Sequence, residues 1–301
     1  MNHIQLLYPE AIISKEFPTD NFSNYHYFRN HQDQSWLLIP KNGIGEKELK
    51  LLSLLYEHVE KSAISTMNIH TKEWYDFLYN EGPFPIQQSQ KEMRFIHFFI
   101  ENQQLEREEL ESAIKGFLPE QAIIIWEFDN RGIIIEENSA VSLSEKEYQM
   151  MSETFEADFF AKTFFFIGKF HELAFKTPSL IKQDKEFFDF SLSFLKNERM
   201  LSFEKVFPSY LAHHLREDIK GKMDNELLKI FKDDPEMHIT IKTFLENNLN
   251  ASMTAKHLYI HRNTLQYRLD KFTEKTGIHL KDFHSAFTVF IASLISNSEI
   301  K

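Results

Sequence analysis

Met253-Thr254-Ala255-Lys256-His257-Leu258-Tyr259-Ile260-His261-Arg262-Asn263-Thr264-Leu265-Gln266-Tyr267-Arg268-Leu269 is the stretch whose reading decides the architecture. Its small and apolar residues fall where two short helices joined by a three-residue turn need a contact and a core: Ala255, Leu258, Ile260, Leu265 and Leu269. From Leu265, Leu269 and Phe272 follow at i+4 and i+7, so one stripe of the second helix is apolar and faces inward. Asn263 and Tyr267 then lie nearly opposite that stripe, with Thr264 and Gln266 on its flanks and Arg262 in the first turn. A helix pair of this kind is expected to read duplex DNA with the N-terminal part of its second helix.

Residue chemistry sorts that outer face. Arg262 suits a bidentate contact to a guanine edge, Asn263 or Gln266 suits adenine, and Thr264, Tyr267, Arg268 and Lys271 suit phosphate oxygens. Which of them reads a base stays open at this point. The same spacing fits a plain helical hairpin with a solvated polar face, and charge weighs against that alternative. The formal net charge is −11, yet residues 256–301 carry seven basic and four acidic side chains, which leaves −14 on residues 1–255. Such a body is repelled by DNA, which keeps non-specific binding weak, while a local basic footprint at one end supplies the phosphate contacts.

The segment Ile241 to Ser293 resembles the C-terminal DNA-binding domain of PucR/CdaR-type bacterial transcription regulators. The resemblance is carried by His261-Arg262-Asn263-Thr264-Leu265-Gln266-Tyr267-Arg268-Leu269, by Phe244-Leu245-Glu246-Asn247-Asn248 before it, and by Thr276-Gly277-Ile278 after it. It implies a transcription regulator that activates genes for uptake or catabolism of small metabolites, responds to a small-molecule effector and works as a homodimer on double-stranded DNA. It also adds His261 to the DNA-binding residues. Met253 stands where relatives commonly carry a smaller residue, a packing change that touches no reading residue.

The rest of the chain reads as an α+β protein. Short β-like pieces at Ala11-Ile12-Ile13, Tyr25 to Phe28 and Ser35 to Ile39 precede a helical pattern over Glu46 to Val59, a small α/β module of residues 1–85 expected to sense or dimerise. Gly82-Pro83-Phe84-Pro85 closes it. Over residues 90–200 the order is strand Arg94 to Ile100, helix Glu106 to Gly116, strands Gln121 to Phe128 and Gly132 to Glu136, helix Ser144 to Glu156, strand Lys162 to Phe166 and helix Ile181 to Lys196. That order, with Phe164-Phe165-Phe166-Ile167-Gly168-Lys169, resembles the degenerate GGDEF-like domain of CdaR-type regulators. A helical connector over 201–235 leads to the all-α reader of residues 236–301.

Several chemistries are set aside. The hairpin tip Asp129-Asn130-Arg131-Gly132 has one glycine and no Gly-Gly-Asp-Glu-Phe string, so nucleotide cyclisation is not expected, and the chain is read as no enzyme. His257 and His261 are four apart but a turn breaks their geometry, so no metal is expected, and no phosphate-binding glycine loop implies a cofactor. With 0 cysteines, no visible signal segment and no apolar run of membrane length, a cytoplasmic protein with no membrane partner is the expectation. The rival readings are a helical protein-interaction adaptor without DNA binding and a nucleotide-processing enzyme.

Overall fold

The computed structural model describes residues 4, 7–14, 25–30, 35–59, 69–80, 82–85, 91–101, 105–128, 130–195, 197–223 and 227–299. Two compact units, Met1–Lys185 and Glu186–Lys301, divide the chain. Helices and sheets mix in the first and helices dominate the second, so the α+β class holds.

The first unit opens with an antiparallel sheet of β1 (Ile12–Ser14), β2 (Tyr25–Arg29), β3 (Trp36–Pro40) and β4 (Glu57–Val59) in the order β1-β3-β2-β4. Helix α1 (Glu46–Leu55) lays Leu52 against Ala11, Phe28, Leu37 and Ile39. The helix expected over Glu46 to Val59 therefore stops early. Tyr56 is extended, and Glu57 to Val59 pair with Arg29 to Tyr27, because a free strand edge offers those backbone groups a ladder that a helix end would leave open.

A second sheet follows helix α2 (Ile69–Tyr79). Its elements are β5 (Glu92–Glu101), α3 (Arg107–Lys115), β6 (Ile123–Phe128), β7 (Arg131–Glu137), α4 (Glu145–Phe159), β8 (Lys162–Ile167), the short β9 (His171–Glu172) and α5 (Thr177–Phe194). Strand order β8-β5-β7-β6 with antiparallel neighbours is that of a split β-α-β unit. Side-chain alternation sorts β5 into two faces. Met93 and Phe95 meet Trp74, Phe77 and Leu78 of α2, so the helix that the sequence assigns to the N-terminal module packs on this sheet. On the other face Phe98 meets Trp126, and Trp126 donates its indole N–H to Glu111 of α3 at 2.9 Å.

Each face also buries ionic groups. On the α4 side Arg94 pairs with Glu136, which accepts the Tyr148 hydroxyl at 2.9 Å. On the α2 side Glu127 accepts from Lys185 at 2.8 Å and from the Tyr79 hydroxyl at 2.8 Å, with Arg131 at 3.3 Å. Burial alone would lift the Glu127 carboxyl, but Lys185, Arg131 and His97 outweigh it and hold the group at about 2. Burial pushes His97 down to about 3, so it is neutral at ordinary pH.

Gly132 shows how tightly β5, β6 and β7 meet. It faces Trp126 and Phe98 in the ladders, and a Cβ there would collide with the Ile125 carbonyl and sit 2.8 Å from the Phe98 ring. Of the turn expected at Asp129 to Gly132, Asp129 lies outside the described residues, while Arg131 and Gly132 belong to β7.

The second unit starts within α5 and continues through α6 (Phe203–His213), α7 (Glu217–Met223), α8 (Lys229–Asp233), α9 (Pro235–Glu246), α10 (Ala251–His257), α11 (Arg262–Thr276) and α12 (Phe283–Glu299). Phe187 and Phe190 pack on Tyr210 of α6 with ring centroids 4.7 and 5.3 Å away. Phe194 stacks on Phe190 at 4.7 Å with its outer side exposed. No helix among the described residues is long and apolar enough to cross a membrane.

Two glycines give opposite expectations. Gly132→Ala should destabilise the protein by about 3 kcal/mol, since the collision is with backbone and a packed ring. Gly221→Ala meets open space within α7 and should stabilise by roughly 0.5–1 kcal/mol. Urea unfolding midpoints of the two variants measure both.

Candidate nucleic-acid interface

Local chemistry sets the two helices of the reader. Asn250 begins α10 by accepting the N–H groups of Ser252 and Met253, each at 3.1 Å. Thr254 and Ala255 are its buried residues. The helix closes on Tyr259, whose φ of 53° is left-handed, and the closing bonds run from Ile260 N–H to the Ala255 carbonyl (3.0 Å) and from Tyr259 N–H to Lys256 (3.2 Å). That is a Schellman ending with tyrosine where glycine is usual. His261 then caps α11, its Nδ1 accepting the Asn263 N–H at 3.2 Å. Four residues, Leu258 to His261, separate the helices, one more than the sequence reading, because His261 stays outside α11 as its cap.

The stripe on α11 falls as the spacing requires. Leu265 and Phe272 are fully buried, Leu269 packs on the core of the unit, and the Phe272 ring stacks on Phe231 at 6.2 Å. Arg262, Asn263, Thr264, Gln266 and Tyr267 are exposed, as is His261. Since the His261 Nδ1 accepts, the proton of the neutral ring sits on Nε2, which leaves a donor beside the first turn. Gln266 donates to Asp270 at 2.9 Å, a bond along the helix surface that it would exchange on meeting another partner.

Two of the predicted contacts are engaged by the protein itself. Arg268 is 19% exposed; it pairs with Glu236 and donates to the Thr240 hydroxyl at 3.1 Å, tying α11 to α9. The helical wheel carries the signal, because position 268 is three residues from Leu265 and borders the buried stripe. Lys271 stands 3.5 Å and Lys275 3.6 Å from Asp234. The Met237 N–H on its carboxylate, aided by both lysines, holds Asp234 below its ordinary range. Tyr259, at the position that closes α10, is exposed as well.

On the inner face of α9, buried His238 donates from Nε2 to the Ser293 carbonyl of α12 at 2.9 Å. Burial lowers its pKa, so the folded unit prefers the neutral ring. A depressed histidine pKa contributes stability above the unfolded value near 6.5, and that contribution is lost as pH falls below it.

Thermal unfolding of the second unit should therefore shift downward between pH 7.5 and about 5.5. The shift should be smaller in His238→Gln, and an equal shift in both proteins would exclude this histidine as its origin. Arg268→Ala should cost about 1–2 kcal/mol through the lost Thr240 bond and packing, with Arg268→Lys recovering part of it, measured by the same unfolding series.

Comparison with known proteins agrees with this geometry. The PucR C-terminal helix-turn-helix domain matches residues 238–295. Over 299 residues, 99% of both chains, the protein is 30% identical to the uncharacterized protein YxkF of Bacillus subtilis. It is 39% identical over 69 residues to the purine catabolism regulatory protein of B. subtilis, spanning 22% of this chain and 13% of that one. A similar stretch of 70 residues is 34% identical to the proline-responsive transcriptional activator PutR of B. subtilis, 23% of this chain and 17% of that one. With its reader built from buried Leu265 and Phe272 and an exposed Arg262-Asn263-Thr264 turn, the chain belongs to the PucR-type family of bacterial helix-turn-helix transcription regulators.

Proposed function

We propose that this DNA-binding regulator reads its site with α11, and that Arg262, Asn263, Thr264, Gln266 and Tyr267, with the His261 Nε2–H, form the contact face. The observation that carries this reading is the division of α11 into an apolar stripe with no exposure at Leu265 and Phe272 and an outer face that is open from His261 to Asn263. Arg262, in the first turn, is the base reader, since the N-terminal residues of such a helix enter the groove most deeply. Lys271 supplies phosphate contact from the flank it shares with Lys275. Arg268 serves as the tie to α9 rather than as a direct contact.

The regulator acts in the cytoplasm as a homodimer, two copies reading half-sites about 34 Å apart on one face of the duplex. Its N-terminal module senses a small metabolite and the outcome is gene activation. Two relatives support the sensing and the activation: one is a purine catabolism regulatory protein and the other a proline-responsive transcriptional activator. Enzymatic turnover is not part of the reading, because the hairpin where a cyclase would admit a triphosphate turns Arg131 back onto Glu127 and packs Gly132 under Phe98.

In mobility-shift titrations against a duplex selected from a randomised library, Arg262→Ala should lose about 1–3 kcal/mol and relax the sequence preference. Lys271→Ala should weaken all duplexes alike and reduce the salt slope by about one. Unchanged binding by Arg262→Ala would overturn the base-reading assignment. Sequencing of DNA immunoprecipitated with the chain identifies the operator.

A further inference from the structure

Tyr259 combines two features that each act against the free protein. Its backbone is left-handed, with φ at 53°, a region where a side chain crowds the following carbonyl and where glycine would close α10 without cost. Its ring is 96% exposed, although an aromatic side chain contributes most when buried. The Ile260 N–H bond to Ala255 locks this conformation, and half-buried Ile260 anchors the next residue, so the tyrosine is held outward by the turn. Around it the chain is basic or polar: Lys256 and His257 end α10, and His261 and Arg262 begin α11, all exposed.

Phe160 offers the contrast. It closes α4 with nearly the same φ, 52°, and is 89% exposed, but within four residues of it Glu156 and Asp158 outnumber Lys162, whereas Tyr259 has no acidic residue within that reach. Strain and exposure alone thus assign nothing; the cationic setting of Tyr259 does. A phenol there has a flat apolar face for a sugar and a hydroxyl donor for a phosphate oxygen, both at the edge of the groove that α11 enters.

We propose that Tyr259 is a further DNA-contact residue, its ring packing on a deoxyribose and its hydroxyl donating to a backbone phosphate. This rests on the assignment of α11 as the reading helix. The contact is to the backbone and is uncharged, so it contributes equally on all sequences and leaves the salt slope unchanged.

The test compares Tyr259→Gly, Tyr259→Phe, Phe160→Gly and Arg262→Ala in the full chain, on a duplex enriched by the wild-type protein from a randomised library and on a mixed-sequence duplex of equal length. Tyr259→Gly should bind both duplexes roughly threefold to tenfold more weakly, with a thermal midpoint equal to or above that of the wild type. Tyr259→Phe should fall between the two, and Phe160→Gly should bind as the wild type does. Wild-type affinity in Tyr259→Gly while Arg262→Ala is impaired would overturn the tyrosine contact and leave the reading helix standing. A loss confined to the enriched duplex, or one accompanied by a lowered midpoint, would also overturn it. If Arg262→Ala matches the wild type while Tyr259→Gly is weakened, the base-reading assignment falls and the tyrosine contact stands; no duplex binding by the wild type would remove both.

Discussion

Burial of one stripe of α11 is the constraint on which the reader depends. Leu265 and Phe272 have no contact with water, and Phe272 lies flat against Phe231 with only 9° between the ring planes. Removing either side chain from the core would cost on the order of 2–5 kcal/mol, so the helix has one stable rotation about its own axis. The outward aim of Arg262, Asn263 and Tyr267 follows from that rotation, since residues on one helix turn as a rigid set. The polar face is thus oriented by hydrophobic packing that never touches DNA.

Ionic contacts refine this arrangement. Arg268 reaches Glu236 and Thr240, and Lys271 and Lys275 share Asp234. These pairs are partly exposed, so their worth is modest and salt-sensitive, and they set the register of α11 against α9 more than they stabilise it. Asp234 also holds the start of α9 through the Met237 N–H. One carboxylate therefore links the cap of one helix to the basic flank of another. The first unit treats charge differently. There Glu127 and Glu136 are buried with their cationic partners, an arrangement in which losing one partner strands the other in a poorly solvated site.

Much of this was legible in residue order. Strong local signals, the Leu265-Leu269-Phe272 spacing in the reader and the continuous isoleucine runs of β6 and β7, located their elements to within a few residues. Short strands were harder. Glu57 to Val59 continues the apolar spacing of α1, and only the open edge of β2 converts it to strand, while β9 has two residues and no period to detect. Arg268 and Arg262 are chemically alike in sequence. Their different environments come from Glu236, thirty-two residues away in the chain, which no local pattern connects to Arg268.

Sequence by itself determined the helix pair, its polar and apolar sides, its basic surplus and the family, because periodicity, composition and motif are local properties of the chain. Tertiary structure decided which cations face outward, that α2 covers the central sheet, that Gly132 must lack a side chain, and that Tyr259 is held left-handed in the open. Those outcomes depend on groups distant in sequence competing for the same space or the same hydrogen-bonding partner, a competition that is resolved only when the chain is folded.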